Sequence, residues 1–279
     1  MHFNKISIVV SKTDLAGINI SSHLIKDFNF KKTEKQFDSN PVYSFSNQKN
    51  EFDLIFIKEK QVFADYLDKL ETDLIIFASK HSSETKKPCL TVHSIGNFSS
   101  AQLGGKPKTL VKTSSLVMKN FYLNLLNETK QKNFSFPVFL EQTHHGPFLS
   151  KPCVYIEVGS SETEWQNQTA GEMISSVIMN SFSNFNSIFK TAIGVGGTHY
   201  CPEFSKIEER TNIALSHILS KYYVDKTDFD LFSQMIEKTS EPVSLALIDW
   251  KGLVSEQRNK IISFCEKLNL EWKKTRDFL

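Results

Sequence analysis

Cysteine is scarce in this chain of 279 residues. The four present, Cys89, Cys153, Cys201 and Cys265, lie far apart with no C-x-x-C pair, which argues against a thiolate zinc site and against a disulfide framework. Reduced, buried thiols in a cytoplasmic protein are the expectation. No apolar run approaches the length of a membrane span, so no membrane partner is expected. The opening Met-His-Phe-Asn-Lys-Ile-Ser-Ile-Val-Val reads as a short strand, because its apolar stretch is too brief for a signal peptide. A dominant charge is missing too. Lys and Arg number 33 against 31 Asp and Glu, a net +2, so no global field points to nucleic acid or to an acidic surface. Three catalytic signatures are absent: the G-x-S-x-G elbow of serine hydrolases, the H-E-x-x-H zinc helix and the G-x-G-x-x-G dinucleotide loop. Glycine is sparse, 11 in all, yet nine of these and five of the eight histidines fall between residues 81 and 199. That clustering points to special backbone geometry around one site.

What is present is an apolar fraction of 40% with 12% aromatics, enough for a substantial core. Short β-like runs at 6–10, 53–57, 74–78, 90–93, 138–141, 154–158, 192–195 and 245–248 are rich in Val, Ile, Leu and Phe, several of them apolar at successive positions, as in strands covered on both faces. Between them, 15–28, 115–126, 164–179, 207–221, 229–238 and 256–268 read as helices, with Asp14 and Ser255 as N-caps. The alternation predicts an α/β fold with a mixed, largely parallel sheet flanked by helices. One catalytic domain over 1–279 is expected, with a helical subdomain from about 203 onward. Residues 31–52 read as an edge hairpin or an exposed loop, and 97–108 as a polar, glycine-containing loop.

Five segments carry chemistry. Ala-Ser-Lys-His-Ser-Ser-Glu (78–84) follows an apolar strand, so His81, Ser82 and Ser83 emerge at its C-terminal edge, where α/β sheets bind ligands. In Leu-Thr-Val-His-Ser-Ile-Gly-Asn (90–97), His93 ends another strand, and the Gly96-Asn97 turn can present N–H groups to an anion. Glu141, His144 and His145 stand within five residues of Phe-Leu-Glu-Gln-Thr-His-His-Gly-Pro (139–147), whose Gly-Pro forbids a helix. Carboxylate and imidazole suit a catalytic zinc. Adjacent side chains on an extended segment diverge, so one of the two imidazoles is expected to hold metal and the other to hydrogen-bond substrate or a supporting carboxylate; which does which stays open. In Val-Tyr-Ile-Glu-Val-Gly-Ser-Ser-Glu-Thr-Glu-Trp (154–165), Glu157 sits within a buried-looking strand and needs a metal, an imidazole or a basic partner. It reads as a ligand or as a general base with a raised pKa. The Ser160-Ser161 stretch either cradles an anion or caps a helix. Finally, Ile-Gly-Val-Gly-Gly-Thr-His-Tyr (193–200) has three glycines after a strand, and Pro202 is expected to prevent a following helix. Gly196 and Gly197 would let the backbone approach a ligand closely while His199 and Tyr200 point into the site. Residues 101–135 carry six lysines against Glu128 alone, a phosphate-contacting surface or a solvated face.

Taken in order, Ser-Lys-His-Ser-Ser (79–83), Leu-Thr-Val-His-Ser-Ile-Gly-Asn (90–97), Leu-Gly-Gly (103–105), Glu-Gln-Thr-His-His-Gly-Pro (141–147), Glu-Val-Gly-Ser-Ser-Glu-x-Glu-Trp (157–165) and Gly-Val-Gly-Gly-Thr-His-Tyr (194–200) resemble the archaeal and plant type of D-aminoacyl-tRNA deacylase. Lys80 departs from the arginine expected there; both are cationic, but only arginine offers a bidentate fork. The resemblance spans about residues 5 to 250. It implies a phosphorylase-like or peptidyl-tRNA hydrolase-like α/β fold, a zinc cofactor, and hydrolysis of the ester joining a D-amino acid to the terminal ribose of tRNA.

On that reading His81, His93, His144 and His199 are the metal candidates and Glu157, Glu141 and His145 the catalytic ones. Zinc would polarise the ester carbonyl or lower the pKa of a bound water, and Glu157, or else Glu141, would take the water's proton. Substrate is assigned to Ser82, Ser83, Asn97, Gly196, Gly197, Lys106 and Lys108, with Lys112 and Lys119 as further phosphate contacts and Phe98 as a platform for the terminal adenine. D-aminoacyl-tRNA is the expected partner of a cytoplasmic monomer. Two rivals stand beside it: a metal-independent phosphorylase-like or peptidyl-tRNA hydrolase-like enzyme, and a non-catalytic tRNA-binding module whose histidines are structural.

Overall fold

Runs such as Leu-Ile-Ile-Phe-Ala (74–78) must be covered on both faces, and the two layers against their sheet supply that cover. The computed structural model describes residues 3–183, 185 and 188–279. The chain runs through β1 (Lys5–Ser11), α1 (Leu15–Asp27), β2 (Lys31–Phe37), β3 (Asn40–Ser46), β4 (Glu51–Ile57), β5 (Leu74–Lys80), β6 (Cys89–His93), β7 (Gly96–Asn97), β8 (Thr109–Leu110), α2 (Ser115–Gln131), β9 (Val138–Leu140) and β10 (Cys153–Gly159). It continues through α3 (Glu162–Trp165), α4 (Gln168–Ser183), β11 (Lys190–Val195), α5 (Pro202–Arg210), β12 (Ile213–Leu219), α6 (Phe229–Glu237), β13 (Leu245–Ile248), α7 (Ser255–Lys267) and β14 (Trp272–Lys274).

Eight strands form one sheet in the order β2-β3-β4-β1-β5-β10-β6-β9. Its centre, β4-β1-β5-β10, is parallel. Strand β6 runs antiparallel to β10, and β9 parallel to β6. A second, wholly parallel sheet has the order β12-β11-β13-β14. The mixed, largely parallel α/β architecture expected from the alternation is what the chain adopts. Side-chain alternation divides the large sheet. Ile8, Ile76 and Ile156 share one core cluster with Ile20 of α1, Phe121 of α2 and Ile174 of α4. Val9, Phe77 and Tyr155 face the other way, toward Leu67 and Leu149, and that second face carries the site.

Several local expectations are corrected. The stretch 31–52 is the antiparallel β2-β3 edge. Residues 207–221 do not form one helix: α5 ends at Arg210 and the remainder is the buried strand β12. Its Ile-Ala-Leu-Ser-His-Ile-Leu is buried at every position, so helical apolar spacing cannot be told from a fully covered strand there. From 203 onward three strands alternate with three helices, so this part of the chain is α/β and not helical. A helix does follow the glycine run, because Pro202 occupies its first position, where the missing N–H costs nothing. Asp14 caps α1 by accepting the Gly17 N–H at 2.9 Å, whereas Ser255 is the first residue of α7 and Val254 its cap. Ser161 lies in a capping box with Glu164, whose carboxylate accepts its N–H at 2.9 Å, so the capping reading of that segment holds.

A buried ion pair ties α2 to α5 and to the start of β12 in the second sheet. Lys119 of α2 has no exposed surface and pairs with Glu208 of α5 at 3.2 Å. Its ammonium also donates to the carbonyls of Glu208, Thr211 and Ile213. It is therefore a structural residue and cannot contact phosphate. Burial pushes the Glu208 carboxyl up to about 7, with Lys119 pulling against that shift. Lys119→Met should cost roughly 3 kcal/mol or more in chemical denaturation, because it strands a buried carboxylate. Below its raised pKa, Glu208 enters the fold as a neutral acid, while in the unfolded chain it ionises near the usual value of about 4.5. The deficit against wild type should therefore shrink as pH falls from about 8 to about 5; a pH-independent deficit would reject this account.

Candidate functional site

The segment after β9 bridges the two sheets. Glu141 N–H donates to Val92 of β6, while Gln142 N–H donates to the His199 carbonyl and Thr143 N–H to the Ile218 carbonyl. Glu141 is thereby held with no exposed surface among imidazoles from three parts of the chain. His81, at the end of β5, places Nδ1 3.0 Å from its Oε1. His199 Nε2 lies 3.3 Å and His144 Nε2 3.6 Å from its Oε2. Glu157 on β10 is the second carboxylate, 3.6 Å from both His81 Nδ1 and His93 Nε2. Strand register explains the latter contact. His93 faces Tyr155 across the antiparallel β6-β10 pair, and Glu157 is two residues from Tyr155 on the same face. The His93 ring stacks on Tyr155, with centroids 5.0 Å apart.

The paired histidines do not diverge. His145 adopts a left-handed backbone with φ of +47°, uncommon for a residue with a Cβ. The His144 and His145 rings lie 4.4 Å apart and 4.2 and 4.9 Å from His93. A close crossing of backbones holds this turn. The Gly146 N–H donates to the Leu103 carbonyl at 3.0 Å, and a Cβ on Gly146 would sit 2.2 Å from the Gly105 nitrogen and 2.4 Å from the Val62 carbonyl oxygen.

The donor set fits a metal ion. Three groups have ligand atoms within 4.8 Å of one another: His93, His144 and His145; His81, Glu141 and His199; and His93, Glu141 and Glu157. In the first group every Nδ1 faces a main-chain carbonyl, that of Ser94 at 3.0 Å, Gln142 at 2.8 Å and Gly146 at 2.7 Å. Such bonds fix the Nδ1–H tautomer and leave the Nε2 lone pairs free, as second partners of metal-binding histidines do. His93 Nε2 and both oxygens of Glu141 are buried without an aligned hydrogen bond, a costly condition that a shared cation relieves.

The electrostatics express the same crowding. Burial favours neutral Glu141, but contact with His199 and His81 outweighs it and holds the carboxyl well below the usual range. Burial likewise loses to His81 and His93 at Glu157, which falls to about 2. A raised pKa was expected there; the neighbouring imidazoles reverse it. Burial opposes charge on His81, yet Glu141 and Glu157 push it up to about 12. His144 and His145 go the other way. Burial and the charge on His93 depress both, His145 to about 4.

Two cavities open onto the pair. One of about 490 Å³ is lined by Asp14, Gln61, Ser82, Tyr155 and Glu157, together with His81, His144, His145 and His199. A second of about 350 Å³ is lined by Asn97, Ser99, Gln102, Tyr223 and Lys226, together with His144 and His145. All five histidines of the central region, Glu141 and Glu157 thus converge, and Ser82 and Asn97 reach the cavity walls. Ser83 does not; it meets Thr85 at 3.0 Å at the surface. Gly196 and Gly197 are buried, pack near Asp249 and line neither cavity. Lys108 is paired with Asp228 at 3.0 Å, and Lys106 lies 3.8 Å over the Phe148 ring. Phe98 reaches the second cavity's wall but belongs to a core cluster and is only 2% exposed, so its faces are not free for stacking. Sequence reasoning missed Tyr155, although its place two residues before Glu157 put it on the same strand face. Tyr223 and Lys226 carried no signal in the sequence.

All four cysteines are free and buried. Among the described residues, no helix is long and apolar enough to cross a membrane.

The profile of the D-aminoacyl-tRNA deacylase family matches residues 68–273. A D-aminoacyl-tRNA deacylase of Thermococcus onnurineus is 38% identical over 274 residues, covering 95% of this chain and 98% of the relative. One from Methanosarcina barkeri is 37% identical over 276 residues, covering 95% and 88%. A crystal structure of a conserved protein of unknown function, AF0625, superimposes over 100% of this chain and 98% of its own with a TM-score of 0.89 and 28% identity. The chain belongs to the D-aminoacyl-tRNA deacylase family.

Proposed function

We propose that this protein is a zinc-dependent esterase that hydrolyses the bond between a D-amino acid and the terminal ribose of tRNA, with both sheets acting as one catalytic domain. Membership of the family supports the reaction. The observation that carries the metal is the triad His93, His144 and His145, each with Nδ1 turned to a main-chain carbonyl and all within ligand spacing. His81, Glu141 and His199 offer a second set. Bound there, zinc supplies Lewis acidity for the ester carbonyl and for water.

The remaining work falls to the chain's own groups. His144 and His145 line both cavities, so the ester lies beside them with its acyl and ribose halves on opposite sides. Glu157 lines the larger cavity and is the carboxylate placed to take the proton from the attacking water. Glu141 has no exposed surface and lines neither cavity, which fits a ligand and not a base. Tyr200, whose hydroxyl lies 3.0 Å from His81 Nε2, orients that ring. The leaving ribose hydroxyl needs less acid assistance than an amine would.

Chelation should abolish hydrolysis of D-tyrosyl-tRNA, and added zinc should restore it, with the L-isomer spared throughout; equal activity without metal would remove zinc from the reaction. Glu141→Gln should lose the zinc held by the second set, His81, Glu141 and His199, by elemental analysis. Glu157→Gln should keep it and lower kcat by about 10²- to 10⁴-fold, and loss of zinc there would make Glu157 a ligand instead. A ligating imidazole must be neutral, and His81 holds its proton up to about 12. Zinc uptake near neutral pH should therefore release protons and tighten as pH rises, readable by calorimetry in buffers of different ionisation enthalpy.

A further inference from the structure

The two cavities that meet at His144 and His145 differ in lining, carboxylates and apolar groups in the larger and a tyrosine ring beside a lysine in the smaller, and the difference assigns the two halves of the substrate. We propose that the smaller cleft binds the 3′-terminal nucleotides of tRNA and the larger cavity the aminoacyl group. This rests on the ester-hydrolysis reading above and adds where each half of the ester sits.

The larger cavity contains the carboxylates of Asp14 and Glu157 beside the ammonium groups of Lys60 and Lys80. The carboxylates offer partners for the ammonium of an aminoacyl ester. Apolar surface from Val62, Leu103 and Tyr155 lines the same space, as a side chain requires. No carboxylate lines the smaller cleft. Its charged residue is the exposed Lys226, accompanied by the hydroxyl and amide groups of Ser99, Ser100 and Gln102. Tyr223 contributes a half-buried ring that packs against the core of the second sheet and lines the cleft, where it can meet a base. Single-stranded nucleic acid is held by this combination of an aromatic platform and a cation. The partition between the spaces is Leu103, an apolar residue 59% exposed that lines both. Its carbonyl is fixed by Gly146, and Gly104 beside it approaches the Val62 carbonyl too closely for any Cβ. The wall is therefore built, and among the described residues only Leu103 and the two histidines are common to both spaces.

The test is binding of a cytidine-cytidine-adenosine trinucleotide, the shared terminus of tRNAs, to the full chain, followed by calorimetry. Tyr223→Ala should weaken it at least about tenfold, the effect of one lost base–aromatic stack, and raise KM for D-aminoacyl-tRNA in step. Tyr223→Phe should bind as wild type does. Lys226→Ala, a surface change that leaves the fold intact, should weaken binding and flatten its salt dependence. Lys60→Ala in the larger cavity should leave trinucleotide binding unchanged. Turnover by wild type, with trinucleotide binding indifferent to the Tyr223 and Lys226 variants or equally damaged by Lys60→Ala, overturns the cleft assignment and leaves the esterase reading standing. Binding that depends on the cleft in a protein without turnover overturns the esterase reading alone.

Discussion

The structure turns on one buried carboxylate. Glu141 has no exposed surface, and its main-chain neighbours tie it to both sheets. A carboxylate in such a place is tolerated only with compensating charge. The compensating charge comes from His81, and the rings of His144 and His199 meet the same carboxylate from other parts of the chain. Strands β5, β9 and β11 end where they do so that these groups meet. The site is thus part of what joins the large sheet to the small one, and not an addition to a finished scaffold.

Excess donor capacity follows from the same arrangement. Seven titratable side chains, five histidines and two glutamates, share a volume in which protons alone give uneven results. His81 is driven strongly basic, His144 and His145 strongly acidic, and both carboxylates are held ionised. The same donor groups have the spacing to hold a divalent cation, which would need its imidazole ligands neutral. His145 bears a further cost in its left-handed backbone. That cost turns the second imidazole of an adjacent pair back toward the first.

Much of the site was legible in the linear pattern, and for a definite reason. A histidine or glutamate within or just after an apolar strand is chemically conspicuous, so His81, His93, Glu141, His144, Glu157 and His199 stood out individually. Their roles were harder to read. Glu157 looked like a base with a raised pKa, because burial is visible in sequence and the approach of His81 and His93 is not. Lys119 looked like a surface cation because the stretch 101–135 is rich in lysine; its partner Glu208 lies on another helix. Strand β12 looked like the continuation of a helix because a run apolar on every side carries no period. Tyr223 and Lys226 went unnoticed because a turn residue beside a cleft resembles any other turn residue.

By itself the sequence determined the class of fold, through the alternation of fully apolar strands with amphipathic helices, and the inventory of metal-compatible groups at strand ends. Those properties are local: burial, periodicity and residue chemistry are written at each position. Tertiary structure alone decided which groups share a cavity, which carboxylate is sealed and which is open, and the sign of each pKa shift. These depend on distances of a few ångströms between residues up to about a hundred positions apart, set by β6 running antiparallel to β10 and by the bridge between the two sheets.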